Sequence, residues 1–136
     1  MPSLIGQLTC FVIVGAVAAL THWSVAVSCV SMLGVPPLLA NVVGWLIAFI
    51  ASFAGHYQLT FRHQHAPFGQ ALRRFFVVSA TGFSINELAY AWLLHVSSLR
   101  YDVLLALILI AIAFLTFILG KIWAFRRRTQ AAPPPG

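Results

Sequence analysis

Acidic side chains are almost missing from this chain: among 136 residues only Glu87 and Asp102 carry a carboxylate. All charged residues together make 7% of the sequence, against about 25% in a water-soluble domain. A chain so short of charge has too little polar surface to cover a soluble globule. Cysteine is equally scarce. Cys10 and Cys29 both fall in the first apolar run, which excludes a disulfide framework and suits small buried hydrophobes. Met1–Gln7 holds no basic residue, and the apolar run behind it is too long for a cleavable signal core.

Chemical motifs are also missing. No nucleophile–base pair and no phosphate-binding glycine loop can be found, so an enzyme is not expected. His63 and His65 stand two apart with no thiol or carboxylate near them, a poor metal-ligand set. No cofactor is expected. The net charge of +6 sits on no soluble element, so nucleic acid is not an expected partner either.

What fills the chain instead is hydrophobic sequence, 61% of all residues. Four runs, Leu8–Val30, Leu38–Leu59, Phe75–Val96 and Val103–Trp123, each reach the length of about 20 residues that spans a bilayer as a helix. The basic residues gather at one set of their ends. Arg62, Arg73 and Arg74 fall between the second and third runs, and Lys121, Arg126, Arg127 and Arg128 close the fourth. The other turns hold only Arg100, opposed by Asp102. Seven of the eight Lys/Arg residues thus belong to one side, which the positive-inside rule assigns to the cytoplasm. The expectation is an all-α membrane protein of four transmembrane helices with both termini inside. One domain covers residues 1–130, and the proline-ended tail 131–136 is expected to be disordered.

The chain overlays itself at an offset of 64 residues. Phe11-Val12-Ile13-Val14 falls on Phe75-Phe76-Val77-Val78, Ser52-Phe53 on Thr116-Phe117, and Phe61-Arg62 on Phe125-Arg126. Repeats at about 8–62 and 72–126 would each hold two helices. An even number gives both halves the same orientation, the parallel-repeat case.

The ends of the second and fourth runs, Phe53-Ala-Gly-His-Tyr-Gln-Leu-Thr-Phe61-Arg62 and Phe117-Ile-Leu-Gly-Lys-Ile-Trp-Ala-Phe125-Arg126, resemble the GtrA-like family pattern F-x-x-N-[RK]-x-W-x-F. Arg74-Phe75-Phe76-Val77-Val78 is similar to that family's helix starts. His56 and Gly120 replace the motif asparagine, Tyr57 its basic residue in the first copy, and Leu59 its tryptophan there; Lys121 keeps the basic position in the second. The resemblance implies handling of polyprenyl-phosphate (undecaprenyl phosphate) sugars for cell-surface polysaccharide in the bacterial inner membrane, as a flippase beside a membrane glycosyltransferase.

Several residues are candidates for that chemistry. Glu87, midway along the third run, stands where a charge costs roughly 2.5–3.5 kcal/mol on insertion scales; it is either a functional group or a neutral carboxyl bonded to a neighbouring helix. Asn86 adjoins it, and His22 is its equivalent across the 64-residue offset. With Asn41, these form the candidate translocation path, interhelical glue being the plain alternative. Lys121, Arg62, Arg126, Arg73 and Arg74 form a candidate phosphate-binding collar, which doubles as topology signal and lipid anchor. Gly44, Ala48, Ala51 and Gly55, spaced by three or four, make a packing stripe. Their counterparts in the fourth run are large, so the second helix is expected to be central and the fourth more lipid-facing.

Three functions follow as expectations. The first is a lipid-linked-sugar flippase, too thin to act alone and therefore a homo-oligomer or a complex with a glycosyltransferase. The second is a non-transporting scaffold for such an enzyme. The third, weakest, is a proton-coupled small multidrug exporter, since proteins of that kind keep their glutamate in the first helix.

Overall fold

The computed structural model describes residues 4–60 and 67–126. Four helices account for nearly all of it: α1 (Leu4–Leu33), α2 (Pro37–Gly55), α3 (Phe68–Val96) and α4 (Tyr101–Arg126), with a π-helical turn at His56–Thr60 continuing α2. Among the described residues there is no strand. Leu8–Leu33 and Pro37–Leu59 are long and apolar enough to cross a membrane, and α4 contributes the shorter apolar stretch Tyr101–Thr116. α3 is the most polar of the four, since it carries Arg73, Arg74, Asn86 and Glu87. The tail 131–136, together with Arg62, Arg127 and Arg128, lies outside the described residues.

The helices start and stop for local reasons. α1 runs one turn further than its hydrophobic run suggests and ends at Gly34, whose φ of +67° is the left-handed conformation that glycine adopts without a Cβ penalty. There the Gly34 amide bonds the Val30 carbonyl at 3.1 Å, closing an αL cap. Pro36 and Pro37 then begin α2, Pro37 at a first-turn position where its missing N–H is harmless. Pro67 opens α3: its carbonyl accepts from Gln70 and Ala71, each at 3.0 Å. α3 therefore starts at Phe68 rather than Phe75, and Arg73 and Arg74 sit on its first turns instead of in the connection.

Connections of three residues (34–36) and four residues (97–100) join α1 to α2 and α3 to α4, which makes both pairs antiparallel hairpins. α1 and α2 form the most extensive helix pair, and α2 also contacts α3, while α3 packs on α4 and α4 on α1, so each helix has two main neighbours. Small residues of α2 explain its closeness to α1. A Cβ at Gly44 would lie 2.6 Å from the backbone oxygen of His22, and one at Gly55 would lie 2.9 Å from Val14 Cγ1. Ala48 is buried, whereas Ala51 is exposed; the contact runs along Gly44, Ala48 and Gly55.

α4 packs less extensively than α2, but one stretch of it is buried. Leu105 and Ile108, which answer to Asn41 and Gly44 across the 64-residue offset, are 1% and 7% exposed. They join Ala26, Ala40, Tyr90 and Leu104 in the buried core. Large side chains fill the gap between the two hairpins that small ones would leave open. Only further along does α4 turn outward, where Phe114, Leu115 and Thr116 are exposed.

Candidate functional site

The polar residues of the apolar bundle do not scatter. Asn41, placed by α2 and fully buried at 0% exposure, is the hub. Its Nδ2 donates to Asn86 Oδ1 at 2.8 Å and to Glu87 Oε2 at 2.6 Å, both on α3. Its Oδ1 lies 2.7 Å from His22 Nε2 on α1. The direction of these bonds follows from chemistry. The two α3 partners are oxygen acceptors, so the amide must turn its NH2 to them and its oxygen to the histidine; His22 therefore donates from Nε2. Both N–H donors of Asn41 are used and its oxygen accepts one bond, so one side chain ties three helices together.

His22 and Asn86 are 6% and 3% exposed, while Glu87 is only partly buried. Glu87 stands nine residues before the end of α3 at Val96, about 14 Å at 1.5 Å per residue. Because α3 begins at Phe68, its midpoint falls at Gly82, and Asn86 and Glu87 lie about one turn beyond it toward the short turn at 97–100.

Below it, toward the other end, lies a layer of rings. Trp45 stacks on Phe83 with centroids 4.6 Å apart and planes 12° apart, and its Nε1 donates to Ser79 Oγ at 3.0 Å. Phe49 meets Phe75 and Phe76 at 5.7 and 5.6 Å, and Phe53 meets Tyr57 and Phe68 at 5.6 and 5.5 Å. Phe11 from α1 packs on His56 at 4.9 Å. The α2–α3 interface is thus aromatic up to the tetrad. Trp45 is not among the residues singled out from the sequence. Its indole N–H, which in an apolar run must find a partner, was the available signal.

Two further bonds hold the turn end. Trp23 Nε1 donates to the Asp102 carbonyl at 2.9 Å, and Tyr90 Oη to the Tyr101 carbonyl at 3.1 Å. Arg100 and Asp102 pair at 3.1 Å, and Asp102 Oδ1 is buried without a hydrogen bond.

The proposed collar is described only in part. Arg73 and Arg74 are exposed on α3, Lys121 and Arg126 fall in the last turns of α4, and Arg62 lies outside the described residues. Among the described residues no group of three metal-ligating side chains occurs.

A bundle of long apolar helices with a polar cluster bonded across three of them is the build of a small membrane-embedded domain. The family described as GtrA/DPMS, transmembrane domain, matches residues 10–125, most of the chain, and the protein belongs to that family. Membership ties it to lipid-linked sugar processes at the membrane. No curated protein and no solved structure matched the chain.

Proposed function

We propose that the protein moves a polyprenyl-phosphate-linked sugar across the bacterial inner membrane, for cell-surface polysaccharide or glycan modification. The observation that carries this reading is the tetrad of His22, Asn41, Asn86 and Glu87, a set of hydrogen-bonding groups inside an otherwise apolar bundle. Polar groups at such depth are costly and mark substrate paths in membrane proteins. Sugar hydroxyls stripped of water need such partners.

In this reading both termini face the cytoplasm and the two hairpins are parallel repeats. The sugar phosphate meets Arg73, Arg74, Lys121 and Arg126, with Arg62, at the inner headgroup level. Arg74 and Glu87 are 13 residues apart on α3, about 20 Å, so phosphate and tetrad contacts are made in succession. The prenyl chain stays in lipid. Four helices enclose a sugar headgroup poorly, so a second copy or a membrane glycosyltransferase completes the path. The protein itself performs no covalent chemistry.

Reconstitution of the full chain in liposomes with a lipid-linked sugar tests this. Outward movement above empty vesicles, lowered by Glu87→Ala and by Arg73→Gln/Arg74→Gln, is expected; movement equal to empty vesicles would sink the reading.

One observation favours a second reading. Asn41 is fully bonded and fully buried, which is how interhelical glue looks. A scaffold that only stabilises a glycosyltransferase would keep glycan assembly after Glu87→Gln and lose it after changes at Gly44 and Ala48.

A further inference from the structure

Asn41 is fully buried with both N–H donors used, so it offers a ligand nothing, and His22 Nε2 is spent on it. What the tetrad leaves open, beside the Asn86 NH2, is a group of acceptors. Glu87 Oε1 has no hydrogen bond or ion pair among the described residues, and Asn86 Oδ1 has accepted a single bond, from Asn41. Oε2 likewise keeps a lone pair. Three acceptor sites converge, one of them on a carboxylate.

Among the described side chains no cation pairs with that carboxylate. Arg100 pairs with Asp102, and Arg73 and Arg74 stand 14 and 13 residues away toward the far end of α3. An uncompensated anion in a bilayer is costly, so the missing positive charge is best brought by the ligand. One turn before Glu87 on the same helical face stands Phe83, stacked on Trp45. A flat apolar ring beside an anionic acceptor cluster suits a ligand with one apolar face and one cationic donor.

We propose that Glu87 and Asn86 bind a primary ammonium group, and that the favoured cargo is therefore an amino sugar. An ammonium has three N–H donors and no acceptor, the complement of Glu87 Oε1, Glu87 Oε2 and Asn86 Oδ1. The apolar face of the pyranose ring lies against Phe83. A neutral hexose would use the amides equally well but would leave the carboxylate's charge unmet. That the ammonium is borne by a sugar rests on the transport reading above.

The test is binding to the full chain in lipid nanodiscs, read without any movement across a membrane. Three probes are compared: a short polyprenyl phosphate bearing glucosamine, the same lipid bearing N-acetylglucosamine, and the same bearing glucose. The glucosamine form is expected to bind about tenfold tighter or more, as a charge-assisted hydrogen bond allows. That preference should vanish in Glu87→Gln. In the unaltered protein it should also vanish when the buffer is made alkaline enough to deprotonate the sugar amine, an arm that needs no variant to fold. Equal affinity for the three probes, or a preference that survives Glu87→Gln or the alkaline buffer, would overturn the proposal. Absence of flipping in liposomes together with an intact binding preference would sink the transport reading alone.

Discussion

A Cβ added at Gly44 would sit 2.6 Å from the backbone carbonyl oxygen of His22 and 2.8 Å from its ring carbon Cδ2. The backbone atom cannot swing aside, so α1 and α2 touch here only because residue 44 has no side chain. The same histidine is the one that bonds Asn41, three residues earlier on α2. Close packing and polar bonding are therefore set at one crossing.

Gly44→Ala is accordingly expected to push α1 from α2 and to destabilise the bundle by about 1–3 kcal/mol, the usual range for overpacking. Gly82→Ala is the control, since nothing lies within 4 Å of a Cβ there. Thermal unfolding in detergent of both variants checks this: a clear loss for the first and little change for the second.

Asn41→Leu removes three hydrogen bonds at once and leaves His22, Asn86 and Glu87 without their shared partner. At about 0.6 kcal/mol per interhelical bond in membranes, a loss of about 2 kcal/mol is expected. Glu87→Gln should cost less, because a glutamine oxygen still accepts from Asn41. Chemical or thermal denaturation in micelles would read the difference; equal losses would mean the carboxylate's charge matters for stability.

Trp23→Phe keeps a ring but removes the N–H that bonds the Asp102 carbonyl. A loss of about 0.5–1.5 kcal/mol is expected. Hydrogen exchange should show it as faster exchange in the first turns of α4, with α2 unaffected.

Orientation is open to a direct check. In a protein freed of Cys10 and Cys29, cysteine placed at Leu33 or Leu99 should react with an impermeant thiol reagent from outside intact cells. Cysteine placed at Gln70 should react only after the membrane is opened. The reverse pattern would invert the proposed topology and remove the inner collar.

The helices were readable in the sequence because each is a long apolar run with a proline, glycine or charged boundary. Their ends were less so. Pro67 starts α3 seven residues before Phe75, where Gln70, Arg73 and Arg74 interrupt the hydrophobic signal without interrupting the helix. The four polar residues of the tetrad were each conspicuous against an apolar background, yet nothing in the order of letters says that Asn41 bridges the other three. That depends on how α2 is rotated, which Gly44 and Gly55 decide by contact. The burial of Leu105 and Ile108 was not legible for a related reason. Side-chain size tells what can pack closely, whereas which faces meet depends on how the hairpins sit together.

The three-residue link at 34–36 and the four-residue link at 97–100 have a consequence for how the molecule meets its surroundings. If the helices span the bilayer as proposed, that side leaves almost no chain clear of the lipid, and an antibody, protease or soluble partner would find little to grip. Association with other proteins would then be left to two routes: sideways, helix against helix within the membrane plane, or at the opposite rim, to which the start of α3 belongs.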